Sequence, residues 1–204
     1  MNAFDKLVKE FEKFPGVGVR QARRFAFYIT TMSENETSYL SELLKQIKEE
    51  TTNCNSCFCI FSKNTTSDAI CSICSSNNRN HQRLLIVEKD SDITAVEKSG
   101  IYDGLYFVLG GTAPLLNKEN VKKLRTGALK EVISKKSQNE KLEIIMGFSV
   151  NPDGENTARF VENIISKLNN PNIKVTHLGR GLSFGSELEY ADPDTIKNAI
   201  KNRS

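Results

Sequence analysis

The chain has 204 residues, 38% of them hydrophobic, which is enough for one sizeable core or for two or three small units, with the balance of an ordinary soluble protein. No apolar run reaches membrane-spanning length, and the amphipathic, mixed-charge start MNAFDKLVKEFEKF lacks the apolar centre of a signal peptide; both observations argue against a membrane or secreted protein and for the cytoplasm. A net charge of +3 is too small to imply nucleic acid by itself, so the distribution of charge has to carry that argument.

Phe4, Leu7, Val8 and Phe11 recur at helical spacing until Phe14-Pro15-Gly16-Val17-Gly18, where a proline and two glycines force a tight turn. A second helix is expected from about Arg20 to Thr30, with Ala22, Phe25, Ala26 and Ile29 on one face and Arg20, Arg23 and Arg24 on the other. Helix, Pro-Gly-Val-Gly and basic helix form the pattern of a helix-hairpin-helix. Gly16 and Gly18 would let backbone N–H groups approach a phosphate at the positive end of the second helix, while the arginines add charge-assisted contacts that grip backbone and read no sequence. The competing reading is an ordinary helical pair with a solvated basic face; the clustering of three arginines opposite the apolar stripe favours DNA. Ser33 and Glu36 have the spacing of a capping box that opens a third helix, whose apolar face is Tyr39, Leu40, Leu43, Leu44 and Ile47.

Two Cys-x-x-Cys knuckles follow, Cys54 with Cys57 and Cys71 with Cys74, separated by a polar loop that includes Ser62, Lys63, Asn64, Thr65, Thr66, Ser67 and Asp68. Two such turns complete a tetrahedral four-thiolate shell of the kind that selects zinc, with no coordination position left open for chemistry. Two disulfides are the alternative, and a reducing compartment disfavours them. Cys59 alternates away from its neighbour and is expected to pack as a small hydrophobe; His81, a conceivable substitute ligand, reads better as a solvated loop residue.

From Arg83 onward strands alternate with helices. Leu84–Val87 ends in Glu88, a helix covers Asp90–Ser99 with Gly100 as its stop, and Leu105–Leu109 is the next strand. A helix near 127–136, a strand at 142–148, a helix at 157–168 and a strand at 173–178 complete the pattern of a mostly parallel sheet covered on both faces. Glu88 and the Asp153-Gly154-Glu155 cluster fall at strand carboxyl ends, where functional residues of such sheets gather. These carboxylates can hold Mg²⁺ for phosphoryl chemistry, cap the next helix or meet a basic partner. No phosphate-binding Gly-Lys-Ser/Thr loop and no nucleophile–base arrangement accompanies them.

The order of parts is more specific than any one of them. The Phe14–Gly18 hairpin, the four-cysteine finger, the Leu-Leu-Ile-Val-Glu strand and the tail Gly181-Leu-Ser-Phe-Gly185-Ser-Glu-Leu-Glu-Tyr190 together resemble the RecR family of bacterial recombination mediators. The resemblance covers nearly the whole chain and implies an α+β multidomain protein. Residues 1–52 would form a helix-hairpin-helix DNA-binding region, 53–80 a four-cysteine zinc finger, 81–178 an α/β Toprim domain with a mostly parallel sheet, and 179–204 a C-terminal helical element for oligomerisation. It further implies a non-enzymatic clamp, a tetrameric ring built from dimers, that binds single- and double-stranded DNA without sequence preference. Such a clamp works with RecO or RecF to help place RecA on single-stranded DNA, in the cytoplasm at the nucleoid.

Carried over by position, the zinc ligands are Cys54, Cys57, Cys71 and Cys74, the DNA contacts Arg20 and Arg24, and the Toprim glutamate Glu88. Asn151 stands where a topoisomerase-like Toprim site would carry aspartate, and the acidic segment is shortened. That favours a partner-docking role for Glu88, Asp153 and Glu155 over Mg²⁺ binding. The remaining alternatives are a Mg²⁺-dependent Toprim nuclease or primase-like enzyme using those three acids, and a protein adaptor that touches DNA only incidentally.

Overall fold

The computed structural model describes residues 1–63, 69–114, 118–179, 181–182, 185, 187–191 and 193–201. The finger-loop residues Asn64 to Asp68 and the tail residues Ser183, Phe184, Ser186 and Asp192 lie outside the described residues. The chain divides into two compact units, Met1–Thr52 and Asn53–Ser204.

In the first unit, α1 (Ala3–Glu12) opens on Asn2, whose side chain accepts the Asp5 N–H at 2.8 Å. It packs against α2 (Val19–Thr31) through Val8, with Ala22 and Ala26 fully buried and Phe4, Leu7, Phe11 and Val17 around them. Two alanines at the contact let the helix axes approach. Between the helices Gly16 sits at φ +76°, in the left-handed region that favours glycine, and Gly18 is the extended N-cap of α2. α3 (Glu34–Glu50) begins with the expected capping box: Ser33 Oγ accepts the Glu36 N–H and Glu36 accepts the Ser33 N–H. Its apolar stripe, however, is not a core face. No residue of α3 is buried within this unit, and Tyr39, Leu43, Leu44 and Ile47 are exposed.

The second unit contains a two-stranded ribbon, β1 (Thr51–Asn53, in which the division falls) with β2 (Ile60–Ser62), then the short α4 (Ser72–Ser75) and β3 (Asn80–Val87). α5 (Asp90–Ser99), β4 (Gly104–Val108), α6 (Lys118–Lys123), α7 (Thr126–Lys136), β5 (Leu142–Gly147), α8 (Pro152–Ser166) and β6 (Ile173–His177) follow, with a 3₁₀ turn at Leu188–Tyr190 and α9 at Pro193–Lys201. The sheet runs β4-β3-β5-β6 and every pairing is parallel. Leu85 is flanked by Tyr106 and Ile145 in register. Alternation of side chains sends Leu84, Ile86, Phe107, Ile144 and Met146 to one face, against Leu129 and Ile133 of α7 and Val161 and Ile165 of α8. Leu85, Val87, Tyr106 and Val108 go to the other face, where Ile93 of α5 and the cysteine segments cover them. Burial on both faces explains why the strands read as continuous apolar runs.

Several boundaries differ from expectation: β3 begins at Asn80 rather than Leu84, β4 spans Gly104–Val108 rather than Leu105–Leu109, and α8 and β6 end at Ser166 and His177 rather than at 168 and 178. α8 starts at Pro152 rather than Thr157, because Asn151 supplies the N-cap and proline suits the first helical position. β5 stops at Gly147, one residue short of Phe148.

Candidate functional site

The hairpin presents its basic residues as the sequence suggests. With Ala22 and Ala26 inward, Arg20, Arg23 and Arg24 are all exposed, and no described residue forms an ion pair with them. Arg24 Nη1 makes a long hydrogen bond of 3.5 Å to Gln21 Oε1. α2 itself contains no acidic residue, so its outer face is purely positive.

The four cysteines converge. Their sulfurs lie within 4.8 Å of one another, with Cys54, Cys57 and Cys71 buried and Cys74 half-buried. Each knuckle is closed by a backbone bond, Phe58 N–H to Cys54 C=O at 2.9 Å and Ser75 N–H to Cys71 C=O at 3.0 Å, and the Cys71 N–H points at Cys54 Sγ at 3.4 Å. All five cysteines are unbonded thiols. Cys57 Sγ lies 3.6 Å from Cys71 Sγ. Crowding separates their acidities: hydrogen bonds from Cys57 and then Cys59 and Cys74 hold Cys71 far below the usual thiol range, while contact with Cys59 and Cys71 pushes Cys57 up. A soft four-sulfur donor set with N–H support fits Zn²⁺, which these four residues would hold as a closed structural site.

The knuckle is fastened to the sheet rather than set apart from it. Val108 N–H donates to Cys57 C=O at 2.8 Å, and Ile60 N–H donates to Asp90 Oδ1 at 2.6 Å. Phe58, at φ 63° in a conformation that aromatic residues rarely adopt, packs edge-on against Phe107 at 5.4 Å and beneath the Arg125 guanidinium. Arg125 also donates to Val108 C=O at 2.9 Å, so it is a structural clamp here. Cys59 packs in this core, as expected of a small hydrophobe, but its thiol also reaches Cys57 and Cys71. His81 is exposed on β3 rather than in a loop.

The acidic residues at the strand ends do not form a cluster. Glu88 is buried and its Oε1 accepts the Ser149 N–H at 2.8 Å. Asn151 Oδ1 accepts the Gly154 N–H at 2.8 Å, and Asp153 and Glu155 occupy the first turn of α8, where carboxylates complement the helix dipole. Gly154 has to be glycine, since a Cβ there would lie 2.0 Å from Ser149 O. Buried Thr157 accepts the Ala113 N–H at 2.8 Å and donates to Asp153 C=O at 2.6 Å. Among the described residues the four cysteines form the sole group of three or more His, Cys, Asp or Glu side chains close enough to share an ion. Glu88 is thus a buried acceptor, and Asp153 and Glu155 are acids of the first turn of α8. Sequence reasoning also missed a polar network: Arg79 pairs with Glu97 and donates to Tyr102 C=O at 3.2 Å, while Tyr106 donates its hydroxyl to Glu97.

Three family models match in the order that the sequence suggests: "RecR, helix-hairpin-helix" over residues 4–48, "Toprim domain" over 82–179 and "RecR, C-terminal" over 181–204. The chain is 37% identical over 199 residues to recombination protein RecR of Streptococcus equi subsp. zooepidemicus, covering 98% of this chain and 95% of the relative. It is 34% identical over 204 residues to that of Dehalococcoides mccartyi, covering 98% and 93%. The chain belongs to the RecR family. A RecR protein has a role in recombination, and the helix-hairpin-helix match adds interaction with DNA. In this chain the arginine face lies within the helix-hairpin-helix match, and Glu88 and Asn151 within the Toprim match. No helix among its described residues is long and apolar enough to cross a membrane.

Proposed function

We propose that this chain is a non-enzymatic DNA clamp of recombinational repair, acting with RecO and RecF to help load RecA on single-stranded DNA. The observation that carries the reading is the exposed face of Arg20, Arg23 and Arg24, which forms no ion pair with a described residue, beside the Gly16–Gly18 hairpin. Backbone amides and guanidinium groups there grip phosphates without reading sequence. Two or three phosphate contacts bind weakly at physiological salt, so a ring that repeats the hairpin strengthens the grip through effective concentration. Assembly in such a ring is supported by the uncovered apolar stripe of α3 and by the tail that ends in α9. Cys54, Cys57, Cys71 and Cys74 hold structural Zn²⁺. Glu88 stays a structural acceptor, and exposed Asp153 with Glu155 meets a basic partner surface instead of Mg²⁺. The clamp works at the nucleoid and cuts no strand.

The test is Arg20→Ala combined with Arg24→Ala. Affinity for unrelated sequences should fall about equally, and the slope of log affinity against log salt should flatten by about two, one unit per lost phosphate contact, while zinc content and oligomer mass stay normal. Binding like the parent at every salt concentration would refute the reading.

A further inference from the structure

The arginine face of α2 also carries aromatic rings. At about 100° per residue, Arg23, Phe27, Arg20, Thr31, Arg24 and Tyr28 fall within roughly 140° of arc, opposite the buried Ala22 and Ala26. Phe27 is 56% and Tyr28 67% exposed, although both are residues that ordinarily seek burial. Phe27 is held from behind by the Phe4 ring at a centroid distance of 4.8 Å and an interplanar angle of 53°. At the hairpin tip Phe14, 53% exposed, leans edge-on against Phe11 at 5.7 Å. These are large rings, two of them propped by other rings, interleaved with three exposed guanidinium groups that form no ion pair among the described residues.

We infer that this face is a stacking platform for the unpaired bases of single-stranded DNA, with Phe27 and Tyr28 taking bases while Arg20, Arg23 and Arg24 take the phosphates between them. The inference rests on the DNA-binding reading above and adds strand preference to it. The chemistry favours this occupant over others. Every base offers a π-face that an aromatic ring can stack on, and phosphates neutralise the arginines; a duplex offers the phosphates but keeps its bases stacked inside. A second copy of this face would set three arginines against three arginines with no acid on α2 to relieve them.

The full-length protein tests it by fluorescence anisotropy against three probes of one length: single-stranded oligothymidylate, a blunt duplex, and a single strand with abasic residues at its centre. Phe27→Leu combined with Tyr28→Leu, which keeps apolar bulk and removes the π-faces, should weaken single-strand binding about tenfold or more and change duplex and abasic binding less than about twofold. Equal loss on all three probes, or no loss on the single strand, overturns the inference. So does a lighter assembly of that variant in light scattering, which would assign the rings to a protein interface. In the unmodified protein, photocrosslinking to oligothymidylate carrying 5-iododeoxyuridine should mark Phe27 or Tyr28, and adducts confined to other elements would overturn it. The two readings separate cleanly: if Arg20→Ala plus Arg24→Ala binds like the parent, DNA binding by this face fails altogether. If the arginines matter and the rings do not, only the stacking platform fails.

Discussion

Stripping the metal from the four cysteines should weaken the whole second unit and not the finger alone. Phe58, Phe61, Ile70 and Ile73 of the cysteine segments are partly buried against the face that carries Leu85, Val87, Tyr106 and Val108. Full burial of a side chain of this size contributes about 1.5–3 kcal/mol, so four at roughly half burial contribute about 3–6 kcal/mol. Without metal, four crowded thiols have no counter-charge to hold them together, and this packing is what would be lost. A domain's entire stability is about 5–15 kcal/mol, and for a unit of this size each kcal/mol moves Tm by about 2–4 °C, so chelation should lower the main transition by roughly 6–24 °C. Calorimetry before and after treatment with a zinc chelator, with elemental analysis to confirm the starting metal and its removal, measures this directly. Near-ultraviolet circular dichroism adds a local probe, because the chain has no tryptophan and Tyr102 and Tyr106 lie in the affected core. The helices of Met1–Thr52 should keep their far-ultraviolet signal. A fully stripped protein that melts within about 2 °C of the parent would show that the knuckle is not part of the sheet's core.

Two further outcomes follow from polar groups in the second unit. Glu88→Gln keeps an acceptor for the Ser149 N–H and should leave Tm nearly unchanged, whereas Glu88→Leu orphans that N–H and should cost about 1–3 kcal/mol in denaturant unfolding; neither should create or abolish strand cleavage with Mg²⁺. The hydrogen-bonded Arg79 guanidinium, with help from the Tyr106 hydroxyl, holds the Glu97 carboxyl below its ordinary 4.5. The folded pKa is thus the lower one, so the pair's contribution is complete above pH 4.5 and disappears as the pH falls through the folded value; Glu97→Gln should remove that part of the acid limb from a plot of stability against pH.

What the sequence makes legible is the part decided by short-range rules. The capping box at Ser33, the glycine stop after Ser99 and the two-faced apolar runs of β3 and β4 each depend on a few neighbouring residues; the cap and the stop form as read, and the strands form with shifted ends, Asn80–Val87 and Gly104–Val108. The paired Cys-x-x-Cys spacing likewise specifies convergence. What escapes is decided by residues far apart in sequence. The spacing of α3 shows an apolar stripe but not whether anything lies over it. Glu88 and Asp153 both end up near strand termini, yet Ser149, sixty-one residues after Glu88, is what turns that carboxylate inward. The Thr157 hydroxyl bridging to Ala113 spans forty-four residues and leaves no local trace. Asn151-Pro152, a cap followed by a proline, is the local signal for the true start of α8.

Asn151 carries one more consequence. Asparagine and aspartate are nearly equal as N-caps, since either offers one oxygen to the N–H three residues on, and here that N–H belongs to Gly154. The helix is therefore indifferent to which of them stands at its entrance. An ancestor with a carboxylate at this place could exchange it for an amide, or regain it, without disturbing the architecture around it. The scaffold thus leaves the charge carried at this position to selection on chemistry alone, with folding casting no vote.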